Sequence, residues 1–201
     1  MSESTKLVRI RRTQTPPKYF IAHRRYLEFL LKDFDGRCAY SMVHHMRCGI
    51  SAMDVDHHNP TLPESTKNRY ENLYLASRHC NGKKSNRWPT PAQRKLGIRF
   101  LDPCSEIDYG QQIFEDPDTF EVWGKSSAAK YHIRILDLNA PHLVEERRNR
   151  FQMWKLYLDP SIVTMIGNAS TAHAGVKAFS DELRQMIPSI VQKKKNQAPT
   201  I

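Results

Sequence analysis

Apolar positions Phe20, Leu27, Leu30, Leu31 and Phe34 recur at helical spacing, with Arg24, Arg25, Glu28 and Lys32 on the opposite face. This predicts an amphipathic helix that Asp35-Gly36 ends. Ahead of it lies an arm carrying Lys6, Arg9, Arg11 and Arg12, followed by Pro16-Pro17, which suits a helix opening because proline at the first turn sacrifices no intrahelical bond. From 37 to 88 the apolar runs shorten. MDVDH and NLYLAS read as two strands, and NPTLPESTKNRYE between them reads as a loop that lets them pair antiparallel. The run NGKKSNRW from Asn81 predicts the start of a short, very basic helix ended by Pro89 and Pro91.

Between 98 and 140, IRFLDP, TFEVWG and YHIRILDLN alternate with turn-rich segments, which predicts strands and loops. From Pro141 a helix places Val144, Phe151, Trp154 and Leu158 on one stripe and Glu145, Arg148 and Lys155 away from it, before Asp159-Pro160 breaks it. A last helix carries Ala172, Val176, Phe179, Leu183 and Met186, with Pro188 limiting it, and QKKKNQAPTI reads as a disordered basic end. The expected fold class is therefore α+β. Its segments are a basic arm and helix over 1–36, a chemically dense core over 37–90, an extension over 91–192 and a tail over 193–201.

Composition narrows the partners. The 201 residues include 39% hydrophobic and 26% charged residues, a globular balance with room for one well-buried core. The formal charge of +10 makes nucleic acid the expected partner, because Lys and Arg that neutralise phosphates release condensed counterions. The N-terminal stretch has no apolar signal region and the chain has no run of about 18 apolar residues, so membrane spanning and export are not expected and a cytoplasmic location is. Four cysteines, Cys38, Cys48, Cys80 and Cys104, then read as thiols or metal ligands rather than a disulfide framework.

Chemistry concentrates in VDHHNP, in Asn72-Leu73 and in Cys80-Asn81-Gly82-Lys83-Lys84, preceded by Cys38-Ala39-Tyr40-Ser41. In this order they resemble the HNH endonuclease family over roughly 37 to 88. The resemblance implies a ββα-metal finger embedded between flanking helices, with His57 as the general base that activates water. It makes Asp56 and Asn81 ligands of one catalytic divalent ion, and Asn72 the asparagine that orients the loop and the base. The chemistry is coherent: imidazole, with an ordinary pKa of about 6.5, accepts a proton near neutral pH. Asp and Asn oxygens suit Mg²⁺ or Mn²⁺, which stabilises charge on a phosphodiester under attack. In a regular strand Asp56 and His57 point to opposite faces, so the two can share one phosphate only where the backbone twists or bends. His58 then reads as a supporting or surface residue.

Relatives of this kind carry two Cys-x-x-Cys pairs around a structural zinc, whereas the matching positions here are Cys38/Ser41 and Ser77/Cys80. A serine hydroxyl is a poor zinc ligand beside thiolate, so buried thiols are expected. A zinc held by Cys38 and Cys80 with Cys48, His44, His45 or His79 is the alternative. Lys83, Lys84 and Arg87 are expected along a DNA backbone, with Arg9, Arg11 and Arg12, and Arg147, Arg148 and Arg150, as further contacts. IRFLDPCSEIDYG and IRILDLNAPHLVEERRNRF are similar to the C-terminal extension of stand-alone HNH proteins of bacterial anti-phage systems, including Septu-type pairs. That similarity implies an ATPase partner, docking on the last helix. The expectation is a DNA endonuclease, RNA not being excluded, against the alternative of a non-catalytic nucleic-acid-binding module that keeps the scaffold.

Overall fold

The computed structural model describes residues 20–157 and the short strand β1 (Thr5–Lys6). The expected arm cations Arg9, Arg11 and Arg12, the Pro16-Pro17 opening, Leu158, the last helix with its docking face and the basic tail all lie outside the described residues. Residues 1–147 form one compact unit and 148–201 a second.

A single 3₁₀ turn, His23–Tyr26, leads into α1 (Leu27–Asp33). Its apolar stripe buries Leu30, with Phe34 just beyond. Asp35 and Gly36 both take positive φ as the chain reverses, and a Cβ on Gly36 would strike the His45 ring and Nε2 of His44, so this stop requires glycine. There follow α2 (His45–Cys48), β2 (Met53–His57), α3 (Glu64–Lys67) and β3 (Leu73–Ser77). Strands β2 and β3 pair antiparallel with Val55 opposite Leu75 and His57 opposite Leu73, as the short apolar stretches MDVDH and NLYLAS and the loop between them predict. Helix α4 (Arg78–Lys84) begins at the next residue because the Ser77 side chain accepts from the Cys80 N–H. It thus starts ahead of Asn81 and ends where Ser85 adopts positive φ. Pro91 is not a terminator. It opens α5 (Pro91–Lys95) behind a capping box formed by Thr90 and Gln93.

After α6 (Glu106–Tyr109), β4 (Ile113–Glu115) and β5 (Val122–Gly124) pair antiparallel, and β1 adds to the free edge of β4. The segment YHIRILDLN, expected as a strand, instead supplies the second half of α7 (Ser127–Leu136) and the turn that follows it. Its Ile133/Ile135 alternation mimics a strand, but Ser126 caps the chain three residues ahead of Ala129, and Ala128, Ala129, Tyr131, His132 and Leu136 turn one buried face inward. IRFLDP is likewise no strand, although Phe100 and Leu101 are buried. The last described element is α8 (Pro141–Tyr157), which buries Leu143 and Arg147 in its first turns.

The fold is α+β, two small antiparallel sheets among helices. One core joins α1, β3, the first turn of α4, α6, β4 and α7 through Leu30, Phe34, Leu73, Leu75, Cys80, Tyr109, Ile113 and Leu136. Among the described residues no helix is long and apolar enough to cross a membrane.

Candidate functional site

Consecutive residues of β2 have opposite environments. Asp56 points inward and is 3% exposed. Tyr40 Oη donates to its Oδ2 at 2.5 Å, and Lys84 Nζ lies 3.0 Å from each carboxylate oxygen. The same ammonium donates to the His57 carbonyl at 2.6 Å. Burial pushes the Asp56 carboxyl up and the Lys84 ammonium down, each partly offset by the charge of the other. Lys84 was expected along a phosphate backbone; its side chain is 0% exposed and fully engaged inside the fold. It closes the end of β2 onto α4.

His57 points outward and is half-buried. Its Nε2 lies 2.8 Å from Asn68 Oδ1. Asn68 turns its Nδ2 toward two acceptors, the Ile21 carbonyl and Glu64 Oε1, each at 3.5 Å, which leaves Oδ1 to accept. In the tautomer that donates from Nε2 to Asn68, Nδ1 carries the lone pair. The His23 ring, from the turn before α1, stands 4.6 Å from that of His57, centroid to centroid.

Asn72 ties the loop down. Its Oδ1 accepts from the Asn59 N–H at 2.9 Å, and its Nδ2 donates to the carbonyls of Lys67 at 2.9 Å and Asn59 at 3.1 Å. The His58 N–H also reaches the Asn72 carbonyl at 2.8 Å. One amide thus fixes both ends of the loop that follows His57. The His58 ring packs on Tyr74 and Trp88.

Asn81, expected beside Asp56, meets a different carboxylate: its Nδ2 donates to Asp54 Oδ2 at 3.3 Å. Alternation puts Asp54 and Asp56 on one face of β2, toward α4, where Asn81 and Lys84 stand one turn apart. The Asp54 side chain is 20% exposed, with Arg24 Nη2 at 3.9 Å. The open pair of oxygen-bearing side chains is therefore Asp54 and Asn81. Among the described residues, no group of three or more His, Cys, Asp or Glu side chains is placed to hold a metal ion.

The other sequence-predicted residues divide. Lys83 is exposed but pairs with Asp137 at 2.8 Å, linking α4 to the end of α7. Arg87 is exposed just beyond α4. Arg147, expected as a phosphate contact, is 2% exposed and donates to the carbonyls of Phe120 and Leu138, so it braces backbone. Cys38 and Cys80 are both fully buried. Met42 takes positive φ in a tight turn that brings the Ser41 N–H to Cys38 Sγ at 3.4 Å. The Cys38-x-x-Ser41 and Ser77-x-x-Cys80 halves converge. Burial raises the proton affinity of Cys38, but hydrogen bonds from Cys80, Ser41 and Ser77 outweigh it and bring the thiol down to about 5.

Sequence reasoning passed over His23, Tyr40, Asp54 and Asn68. Only Asp54 left a signal, since a residue two before Asp56 shares its strand face; the others arrive through tertiary contacts. No protein-family model and no curated protein matches this chain.

Proposed function

We propose that the chain is a divalent-metal-dependent endonuclease of the HNH type that hydrolyses DNA phosphodiester bonds. The observation that carries the reading is the contiguous β2–β3–α4 unit, which turns His57 outward at the end of a strand and sets Asn81 against a carboxylate on that strand. A finger of this topology is what the ordered Asp-His, Asn and Cys-Asn residues imply.

Nδ1 of His57 takes a proton from water as the oxygen attacks phosphorus, and Asn68 holds the ring through the other nitrogen. The new P–O bond forms as the bond to the leaving oxygen breaks, and solvent supplies the proton that oxygen needs. Asp54 and Asn81 fit a hard divalent ion by donor type and exposure; when bound, it supplies positive charge for the phosphate oxygens and the leaving group. Asn72 keeps the loop beside His57 in place. Asp56, as found with Tyr40 and Lys84, anchors the strand beneath the site.

That closed carboxylate is also the one observation favouring a second reading, a nucleic-acid-binding module that keeps the fold without cleavage. A supercoiled-plasmid assay with Mg²⁺, Mn²⁺ or EDTA separates the two. The expected result is metal-dependent nicking by the wild type, none in EDTA, and loss of about a hundredfold or more in His57→Ala. Equal cleavage by that variant removes the nuclease assignment to this site.

A further inference from the structure

We propose that His23 is a second imidazole of the cleavage centre, donating a ring N–H to the scissile phosphate while His57 draws the proton from water. This rests on the reading of His57 as the base and adds to it a substrate-binding group from outside the β2–β3–α4 unit.

The helix expected to hold the phosphate does little of it. Lys84 is closed inside the fold and Lys83 is paired with Asp137. Among the described residues, positive charge reaches the site from Arg24 of the 3₁₀ turn His23–Tyr26 and from Lys67 at the end of α3. Consecutive residues of that turn reach both parts of the site: the His23 ring lies against His57, and Arg24 comes to Asp54, the partner of Asn81. The turn is held in place by Tyr26, which is 1% exposed, accepts from the Phe20 N–H at 2.7 Å and packs on Tyr70. Among the described residues no protein group accepts a hydrogen bond from the His23 ring, which is half-buried. Lys67 and Arg24 add positive charge around it, against the opposing charge of Glu64. Burial first, then His57, Lys67 and Arg24, hold the proton affinity of His23 below its ordinary value. A neutral imidazole keeps one N–H to donate. A half-buried N–H donor with no protein acceptor among the described residues, beside the proposed base and flanked by Arg24, is a phosphate-binding arrangement.

The rival explanation is that His23 only packs against His57, and two substitutions in the full-length chain separate the possibilities. His23→Phe keeps an aromatic ring and removes the donor; His23→Gln keeps a side-chain N–H and removes the ring. In plasmid cleavage with Mn²⁺, phosphate contact predicts that Phe loses about tenfold or more while Gln retains most of the rate. Phe at the wild-type rate, or Gln no better than Phe, overturns the proposal and leaves the His57 assignment standing. If the wild type cleaves nothing with any divalent ion, the nuclease reading fails by itself. The contact is then decided by imidazole ¹⁵N spectra of the wild type titrated with a short DNA duplex in EDTA. A shifted His23 nitrogen that returns with added salt supports it, and an unmoved one overturns it.

Discussion

Asp56 and His57 are neighbours in sequence and opposites in environment. The inner residue is buried, held by a tyrosine hydroxyl and a lysine ammonium, while its neighbour faces outward with one asparagine contact and a histidine ring beside it. The difference teaches that neighbouring residues of one short strand divide two duties: Asp56 is spent on holding the fold, while the His57 side chain stays at the surface. Lys84 joins them, since its ammonium holds the Asp56 carboxylate and the His57 carbonyl together. The position of the proposed base thus depends on an ion pair buried inside the fold.

The sharpest way to break this comparison is from the inside. Lys84→Met strands the Asp56 carboxylate without its cation and is expected to cost about 3–5 kcal/mol in urea unfolding. Adding Asp56→Asn should recover a large part of that loss, because the remaining polar group is then uncharged. Equal stability of Lys84→Met and the wild type would mean the pair is not what closes the strand.

Next comes a buried histidine behind the site. Nδ1 of His132 accepts the Leu101 N–H at 3.1 Å, so Nε2 carries the proton toward Tyr109 Oη at 2.7 Å, and Tyr109 in turn donates to the Tyr40 carbonyl. Burial, followed by the charges of His58, Arg99 and Lys84, holds His132 well below its ordinary 6.5. It stays neutral in the fold and is protonated in the unfolded chain, so its contribution is present above about 6.5 and is lost as pH falls below that. Stability should drop by about 1.4 kcal/mol per pH unit in this window, and His132→Gln should flatten the slope. An unchanged slope in the variant would place the acid sensitivity elsewhere, for example at His23 or His142, which are also held low.

The smallest effect on the fold belongs to the outer face. His57→Ala removes one hydrogen bond and a half-exposed ring, and should shift stability by no more than about 1 kcal/mol while removing cleavage. A loss as large as that of Lys84→Met would make His57 structural too, and the contrast between the two faces would disappear.

Much of the local structure was legible in the chain. The two strands announced themselves as short apolar stretches, and the loop between them by its Pro, Ser, Thr and Asn residues. The stop after α1 was equally readable, because Gly36 sits where no side chain fits. The reading went astray at α7, where Ile133 and Ile135 alternate like a strand while the Ser126 cap and the inward face of Ala128, Ala129, His132 and Leu136 make a helix. Lys84 and Arg147 were misread for a different reason: a basic residue in a list of basic residues carries no mark of being buried.

By itself, the sequence determined the helix before Gly36, the β2–β3 pair and the residue types at the candidate site, because period, capping and turn chemistry act over a few neighbours. Tertiary structure alone decided which carboxylate stays open. Asp54 meets Asn81 and Asp56 meets Lys84 only because α4 packs across β2. It also brought His23 to His57, two residues linked by no local rule. Burial and charge pairing depend on which surfaces meet, and those contacts exist only once the chain has folded.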